Sequence, residues 1–529
     1  MKTLFRCAIA LVISGVIFCN ILLSQISTME KPISFSINNL KYDTKLIKTM
    51  SDIDIIKLQK EDEENEKIGV PYFRFGHSHK VDFNLENSGQ WFNLPNGDRL
   101  WQLKIVSPGA ISTNLTYDKF WIPDGAKFFV YSNDKKQSIG AITAANTGFT
   151  EDNMPGFATA LLYSDSITLE YYLPKHVNDK GIICIDSVVH GYKDAFQNTR
   201  GIICAFNINC PEGSDWQTEK RAVAMIVIGS ASYGTGSLIN NTKNDFRPLF
   251  LTAKHVYNSS ATVFSNWMFY WKAEAVCDDN LDMNNNYTTT GATLLAQHDT
   301  TDFRLLELIQ HPANITIGYT PYYLGWDKTG NTGINPVCIH HPGRYYKSIS
   351  ISIGTPTTAT CMTMFYNGVQ YYTNNFWKSV WDGKSTTHSG SSGAALINSN
   401  RKVIGQLFGH DPCAGGLPPC PDWMTNKEYS TFGKLSRSWT GGGTNTTRLS
   451  DWLDPAPGTG ETVLDGIDDC WTISVTGTQT ETVKRVICRT VNVQNATVPA
   501  GKTLDLKTTD RVIINPGFTV QSGATFIIR

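Results

Sequence analysis

The sequence predicts an all-β protein of several domains, on the evidence of its composition and its turn spacing. Its 529 residues include 43 Gly and 22 Pro, while aromatic residues make up 11% and charged residues 18%. This composition favours short strands joined by turns and argues against a coiled coil or a long disordered chain. The formal net charge is -1, so no basic field exists that would attract nucleic acid, and we expect no nucleic-acid partner.

The chain begins like an exported protein. Lys2 and Arg6 precede an apolar run that extends from Cys7 to about Leu23. A basic start followed by such a run is typical of a signal peptide, which we place at residues 1–24. An uncleaved anchor helix is the alternative, because the run is nearly long enough to span a bilayer. We expect a secreted or cell-surface protein with no stable membrane insertion once the signal is removed.

Cysteine usage agrees with export. Ten of the 12 cysteines lie beyond the predicted signal, scattered singly and without a C-x-x-C pair. This pattern favours disulfides over a zinc or redox motif. The adjacent His340 and His341 suggest a metal pair, but neighbouring side chains on an extended strand point to opposite faces. We therefore expect no metal and no cofactor.

The region before the middle of the chain divides into two parts. Residues 25–67 are polar and end in the charged run KEDEENEK, Lys60 to Lys67, for which a solvated linker is predicted. Residues 70–195 alternate apolar and polar positions in short runs separated by Pro-Gly and Asp-Gly turns. Strands of this length and spacing predict a β-sandwich.

The tail after Cys470 predicts a small C-terminal β module at residues 469–529. It repeats short Thr/Val/Ile runs between Gly and Pro turns, most clearly in RVIINPGFTVQSGATFIIR, Arg511 to Arg529. Such a pattern is typical of a β-solenoid or a sandwich. Its expected role is attachment to the cell surface or to the secretion machinery, with a purely stabilising appendage as the alternative.

Three segments in the middle of the chain carry side chains suited to acyl transfer. In PLFLTAKHV, His255 follows an apolar strand, where one ring nitrogen can face a nucleophile and the other a carboxylate. In TTDFRLLEL, Asp302 precedes an apolar strand and is a candidate for that carboxylate. In HSGSSGAALI, Ser392 lies in a turn whose Gly390 and Gly393 allow backbone angles that aim two N–H groups at one point.

The order of these residues distinguishes between two enzyme folds. An α/β-hydrolase needs its serine before its histidine and a G-x-S-x-G elbow, whereas this chain has Ala394 at the last position. The order His, Asp, Ser on an all-β frame is that of the double β-barrel serine peptidases. Order, fold class and turn therefore favour that class.

Nine short motifs occur in order over about half of the chain. They are CAFNINCPEG, TGSLINNT, FLTAKH, TDFRLLEL, GWD, IHHPG, GSSGA, VIGQL and SWTGGGTNTTRLSDWLDP. In identity and order these motifs resemble the secreted bacterial lysyl endopeptidases, a branch of the chymotrypsin-like serine peptidases.

The resemblance implies a fold and a role for each residue. A chymotrypsin-like double β-barrel peptidase domain is expected at residues 201–468, preceded by a pro-segment at 25–200 that contains the sandwich. His255 would be the general base, Asp302 its orienter and Ser392 the nucleophile. The backbone amides of Gly390 and Ser392 would form the oxyanion hole.

The resemblance also implies disulfides. One family bridge has no counterpart, because Gly234 and Val256 occupy its two places. Cys184 and Cys420 are left over, and sequence alone leaves the connectivities open. The pairs expected are Cys204–Cys413, Cys210–Cys277, Cys338–Cys361 as a replacement bridge and Cys470–Cys488 in the tail.

The expected specificity pocket departs from the family. Family members carry an Asp at the pocket base, where the stretch NKEYSTFGKL of this chain places Ser430, with Glu428 two residues earlier. A carboxylate from Glu428 would favour a basic residue at P1, the substrate position before the cut, whereas Ser430 alone would favour an apolar or aromatic one. Phe408 stands where the family tends to have His, with His410 nearby. We expect all four side chains at the substrate pocket.

These observations predict a secreted serine endopeptidase made as a pre-pro-enzyme and acting on proteins or peptides. Cleavage after Lys, or after Arg, is expected, and activation would follow a cut near Arg200-Gly201. The alternative is a catalytically inactive protein that keeps the peptidase fold for binding or adhesion.

Overall fold

The computed structural model describes most of the chain outside the predicted signal. The described residues are 22–23, 30–37, 46–67, 73–196, 204–257, 263–277, 287–314, 319–359, 364–366, 369–371, 373–410 and 429–529. Within them, no helix is long and apolar enough to cross a bilayer.

The N-terminal region is built mainly from strands, as its alternating pattern predicts. Two helices accompany them, α1 (Ile55–Lys67) and α2 (Ala144–Thr147). The strands are β1 (Leu22–Leu23), β2 (Ile47–Thr49), β3 (Phe73–Arg74), β4 (Gly76–Asn84), β5 (Gln90–Asn93), β6 (Arg99–Val106), β7 (Ser112–Trp121), β8 (Lys127–Ser132), β9 (Gln137–Ile142), β10 (Phe157–Ala158), β11 (Ser166–Leu173) and β12 (Ile182–Gly191).

All of these strands except β3 form a sandwich of two sheets. One sheet has the order β1-β9-β8-β11-β6-β2 with β5 on β6, and the other has the order β10-β7-β12-β4. Fully buried side chains such as Trp101, Phe120 and Tyr171 fill the space between them. The burial of these rings supplies the main driving force for assembling the two sheets.

The charged run before the sandwich is a helix rather than the predicted solvated linker. Its Glu and Lys residues are good helix formers. Asp62 on α1 is 5% exposed, and its carboxylate accepts hydrogen bonds from Arg74 Nε (2.7 Å) and Tyr192 Oη (2.7 Å) and pairs with Lys193 (2.6 Å). These distant partners anchor the helix to the sandwich, and local composition does not reveal them.

The middle region contains the remaining short helices, α3 (Leu435–Ser438) and α4 (Ser450–Leu453). Its strands are β13 (Phe206–Asn207), β14 (Val223–Ile228), β15 (Ala231–Leu238), β16 (Leu249–Ala253), β17 (Trp267–Tyr270), β18 (Thr288–Thr290), β19 (Ala292–His298), β20 (Phe303–Leu308), β21 (Tyr322–Tyr323), β22 (Gly325–Asp327), β23 (Val337–His340), β24 (Ser348–Ile351), β25 (Thr357–Thr358), β26 (Met364–Tyr366), β27 (Val369–Tyr371), β28 (Phe376–Val380), β29 (Ala395–Ile397), β30 (Lys402–His410), β31 (Tyr429–Lys434), β32 (Val463–Leu464) and β33 (Ile467–Asp468).

Two large sheets organise this region. The first runs β18-β17-β14-β15-β16-β20-β19, and the second runs β13-β24-β23-β29-β30-β31-β28-β25 with β22 on β30. One apolar core joins them, with Phe250 and Leu305 from the first sheet and Ile339 and Val403 from the second. The structure therefore confirms the all-β, two-barrel architecture that the resemblance implies.

The sandwich and the first of these sheets share contacts. Strand β3 pairs antiparallel with β15, and Ser230 O accepts the backbone N–H groups of Phe75 and Gly76. Met225, Val227, Met268 and Tyr270 of the middle region belong to the core cluster of the sandwich. Apolar side chains of both regions are thus buried together.

The strands of the tail pair in parallel and stack on one another. Of the two predicted alternatives, a β-solenoid or a sandwich, this arrangement is the β-solenoid. Thr472 lies beside Thr490, and Thr503 lies beside Thr525, so each coil takes 18 (490 − 472) to 22 (525 − 503) residues. The strands are β34 (Thr472–Thr478), β35 (Val483–Val498), β36 (Thr503–Ile514), β37 (Thr519–Val520) and β38 (Thr525–Ile528).

The disulfides agree with the expectations in part. The bridges Cys210–Cys277 and Cys470–Cys488 are formed. Cys204 is disulfide-bonded, and its expected partner Cys413 lies outside the described residues.

The expected replacement bridge between Cys338 and Cys361 is wrong, because Cys338 is a free thiol. Its side chain is fully buried and packs with Trp381 and Phe432 in a small apolar cluster, where it behaves as a small hydrophobic residue. Cys361 lies outside the described residues, and Cys184 is free.

Candidate active site

His255 and Asp302 are brought together by two neighbouring strands. β16 ends at Ala253 and β20 begins at Phe303, and these two residues lie opposite each other in the antiparallel pair. His255 follows β16 in a short 3-10 turn, and Asp302 immediately precedes β20. The strand register therefore places both side chains at the same edge of the first sheet.

The contact between these residues is bidentate. His255 Nδ1 lies 2.5 Å from Asp302 Oδ2, and the backbone N–H of His255 donates to Asp302 Oδ1 at 3.0 Å. Asp302 is 1% exposed, so its carboxylate has little access to water. Because an ionised carboxylate can only accept, Nδ1 carries the proton in this pair.

Asp302 is held in a left-handed conformation with φ 58°. This conformation is uncommon for a non-glycine residue and persists only where surrounding contacts support it. Lys254 N–H donates to Asp302 O at 2.8 Å, and Gln406 Nε2 of the second sheet donates to the preceding carbonyl, Thr301 O, at 2.6 Å. Both sheets thus fix the direction of the carboxylate.

Ser392 completes a hydrogen-bonded line. His255 Nε2 lies 2.9 Å from Ser392 Oγ. With its proton on Nδ1, the neutral ring presents an acceptor at Nε2, so Ser392 donates its hydroxyl hydrogen to it. The imidazole is therefore oriented to take a proton from the Ser392 hydroxyl.

The turn before Ser392 presents two backbone N–H groups. Gly390 has φ 90°, which favours glycine. Ser389 O accepts from Gly343 N–H at 2.6 Å, so the Gly390 N–H, on the opposite side of the same trans peptide, points away from that contact. Among the described residues, neither the Gly390 nor the Ser392 N–H donates to a protein acceptor.

Gly393 permits the close approach of the two sheets. The φ angle of Gly393 is 85°. Any larger residue at this position would have its Cβ atom 2.2 Å from Thr252 Oγ1 and 2.4 Å from Thr235 O, which is too close. Thr235 N–H donates to Ser392 O at 2.9 Å, so strand β15 directly supports the serine. Thr235 is a supporting residue that our sequence analysis missed, although it lies in the TGSLINNT motif.

Phe408 packs against the catalytic histidine candidate. The ring centroids of Phe408 and His255 are 5.5 Å apart at an interplanar angle of 65°, and Phe376 contacts Phe408 at a similar 5.5 Å. An edge-to-face arrangement of this kind is favourable for aromatic rings. Phe408 thus lies directly beside His255.

Ser430, expected at the base of the pocket, is buried in an uncharged hydrogen-bonded group. Ser430 Oγ accepts from Trp381 Nε1 at 2.9 Å and lies 2.8 Å from Thr387 Oγ1. Glu428 and the side chain of His410 lie outside the described residues. Thr387 is a second residue that sequence reasoning missed, although it stands one position before HSGSSGAALI.

No metal centre accompanies the site in the part of the chain that the structure describes, where no three His, Cys, Asp or Glu side chains are grouped to hold an ion. His340 and His341 are both fully buried. Burial lowers the pKa of His341 to about 3 and the pKa of His340 well below its usual value. Both rings are therefore neutral at ordinary pH.

Comparisons with known proteins agree with this description. Residues 200–422 match the family model "Lysyl endopeptidase, C-terminal domain". The chain is 24% identical over 376 residues to the lysyl endopeptidase of Pseudomonas aeruginosa, an alignment that covers 65% of this chain and 75% of that protein.

Solved structures with a similar arrangement are more distant. The active form of the Rv3671c protease from M. tuberculosis is 16% identical, with a TM-score of 0.27 over 45% of this chain and 87% of that one. A Glu endopeptidase is 16% identical, with a TM-score of 0.27 over 44% of this chain and 93% of that one.

Fold and family match together define a serine endopeptidase of the chymotrypsin-like class. Within that class, residues 200–422 are similar to the lysyl endopeptidase family. The disulfides are consistent with an extracellular protein.

Proposed function

We propose that this protein cuts peptide bonds by acyl transfer, with Ser392 as nucleophile, His255 as general base and Asp302 as its orienter. The observation that carries the proposal is the unbroken line from Asp302 Oδ2 through the His255 ring to Ser392 Oγ, with distances of 2.5 and 2.9 Å. Nucleophile, base and orienter within hydrogen-bond reach are what an activated serine requires.

In the first half of the reaction, Ser392 Oγ attacks the carbonyl carbon of the peptide bond. His255 Nε2 takes the hydroxyl proton, and Asp302 stabilises the resulting imidazolium. The carbonyl oxygen becomes an oxyanion, which the N–H groups of Gly390 and Ser392 are free to bind. His255 then gives the proton to the leaving amine, and an ester with Ser392 remains.

In the second half, water repeats the sequence. His255 removes a proton from the water molecule as it attacks the ester carbonyl, and the same two N–H groups stabilise the second oxyanion. The proton returns to Ser392 Oγ as the carboxylic acid product leaves. The residues end in their starting state, so the cycle balances without a cofactor.

For the substrate, we propose peptides with a basic residue at P1, as the name of the Pseudomonas relative suggests for that protein. The described residues at the expected pocket base, Ser430, Thr387 and Trp381, carry no charge. The basic preference therefore depends on a carboxylate outside them, for which Glu428 is the sequence candidate.

The test is to map the cuts that the purified secreted form makes in a denatured protein, using mass spectrometry, beside Ser392→Ala and Glu428→Gln. We expect cuts after Lys or Arg that disappear in Ser392→Ala and weaken in Glu428→Gln. Cuts after large apolar residues would keep the mechanism and overturn the substrate class. If the purified secreted form with an intact Ser392 makes no cuts, the result would favour the alternative of a catalytically inactive binding protein.

A further inference from the structure

The adjacent histidines of the IHHPG motif are both buried, yet among the described residues only the ring of His340 is hydrogen-bonded to the turn that carries Ser392. His340 Nδ1 lies 2.6 Å from Ser391 Oγ, and its Nε2 lies 2.9 Å from Ser350 Oγ. His341 Nδ1 instead faces Tyr345 O at 3.2 Å. His340 therefore connects strands β23 and β24 with the residue that immediately precedes the nucleophile.

The direction of every hydrogen bond in this connection is determined. Ser350 Oγ donates to Thr386 O at 2.7 Å, so it must accept from His340 Nε2–H. The neutral ring then has an unprotonated Nδ1, which accepts from the Ser391 hydroxyl. Ser391 Oγ in turn accepts from His388 N–H at 3.0 Å, so every polar side-chain atom of His340, Ser350 and Ser391 has a hydrogen-bond partner.

Ser391 stands between the two groups that would bind the oxyanion. The Ser392 N–H belongs to the same peptide unit as Ser391 O, which accepts from Ala394 N–H at 3.0 Å. On the other side, Gly390 O accepts from Thr235 Oγ1 at 2.8 Å. A displacement of Ser391 would therefore move the peptide unit that carries the Ser392 N–H and the unit that carries Gly390 O, whereas the Gly390 N–H lies one peptide unit further back.

We propose that His340 is a positioning residue that holds the Gly390–Ser392 turn in the shape of an oxyanion hole through its hydrogen bond to Ser391. This inference rests on the proposed acyl-transfer function. His340 is fully buried and does not touch the reacting atoms, so it acts on the reaction only through Ser391. A completely satisfied buried network specifies one geometry, because any rearrangement leaves a polar group without a partner.

The consequence for catalysis follows from what the turn does. Substrate binding in the ground state makes little use of the oxyanion donors, whereas the transition state depends on them. Loss of the His340–Ser391 bond should therefore lower kcat and leave KM nearly unchanged. Loss of one whole oxyanion donor costs about 10² to 10³ in kcat, so we expect a smaller effect, of about 10- to 100-fold, from misplacing the turn.

The experiment measures kcat and KM for His340→Ala, Ser391→Ala and the double variant, with a peptide substrate cut by the wild-type enzyme. We expect each single variant to lose about 10- to 100-fold in kcat, and the double variant to lose no more than either one, because both remove the same bond. Multiplying losses in the double variant would overturn the proposal. His340→Asn, whose side-chain oxygen can replace Nδ1, should recover part of kcat.

His341→Ala is the matched control, since it removes an equally buried ring that has no side-chain contact with the turn. If it lowers kcat as much as His340→Ala does, the effect comes from a loosened core and the proposal is wrong. A peptide boronate, which mimics the oxyanion, should lose affinity in His340→Ala and keep it in His341→Ala.

Failure of the proposed function gives a different result. Wild-type protein that neither cuts the substrate nor reacts with a fluorophosphonate at Ser392 contradicts acyl transfer itself. Wild-type protein that does both, together with an unchanged kcat in His340→Ala, contradicts only the positioning role.

Discussion

At the scale of single residues, the orientation of His255 is the feature on which the proposed acyl transfer depends most. The Asp302 carboxylate contacts both the ring nitrogen Nδ1 and the backbone N–H of His255. An amide in its place can donate to Nδ1, which would move the ring proton to Nε2 and leave no acceptor for the Ser392 hydroxyl.

We therefore expect Asp302→Asn to lower kcat by about 10³- to 10⁴-fold with little change in KM. Steady-state kinetics with a short peptide substrate measures both constants. Asp299→Asn is the control, because Asp299 pairs with Lys254 and is 43% exposed at its side chain, three residues from Asp302. Equal losses of kcat in Asp302→Asn and Asp299→Asn would contradict this explanation, because they would assign the effect to a disturbed 299–302 turn and not to the tautomer of His255.

The sequence predicted His255, Asp302 and Ser392 because each lies in a short motif and their order is characteristic of one fold. It did not predict the partners that support them. Thr235 is 155 residues from Gly390, and His340 is 51 residues from Ser391. Contacts across that distance depend on the packing of two sheets, which local patterns do not encode.

At the scale of elements, strands β4 and β12 of the sandwich carry a row of histidines. His77 lies opposite His190 in the antiparallel pair, and the rings of His77 and His79 are 5.0 Å apart. Burial and neighbouring histidines lower the pKa of His79 and of His190. Both rings are therefore held neutral in the folded protein.

The sign of the pH effect follows from that direction. The unfolded chain binds protons near the ordinary histidine pKa of about 6.5, whereas the folded sandwich binds them only at lower pH. The stabilisation is thus complete above about pH 6.5 and is lost as the pH falls below it. We expect the Tm of the sandwich to drop between about pH 7.5 and about pH 5, as followed by calorimetry.

The matched variants identify the source of the drop. In His79→Gln and His190→Asn, the Tm should depend less on pH over this interval, whereas exposed His176→Gln should behave like the wild type. An unchanged pH dependence in the first two variants would assign the effect to other groups.

Elements were predicted unevenly. The strands of the sandwich and of the tail were predicted from short alternating runs between turns, because this local pattern does not depend on distant contacts. The prediction of a solvated linker for the charged run of α1 was wrong. The helix is held in place by ion pairs of Asp62 with Arg74 and Lys193, which belong to other parts of the chain. A pattern with few apolar residues gives no sign of such a buried ion pair.

At the scale of the whole molecule, the expected division into pro-segment and peptidase makes a prediction about maturation. Residues 200–422 match the family model, and the expected boundary near Arg200-Gly201 coincides with the start of that match. If the enzyme cuts after basic residues, it can process itself there. We expect the N-terminal residue of the active secreted form, read by Edman degradation, to lie between about 196 and 204. Active material that consists of the intact 25–529 chain would contradict this.

The burial of Met225, Val227, Met268 and Tyr270 within the core of the sandwich has a consequence for any such cut. Hydrolysis of one peptide bond removes neither this apolar contact nor the pairing of β3 with β15. The two fragments would then persist as subunits of a complex, and its dissociation would follow mass action, increasing on dilution. Liberation of the peptidase would be a second event, either dissociation on dilution or degradation of the sandwich, so the cut and the release would be separately timed steps.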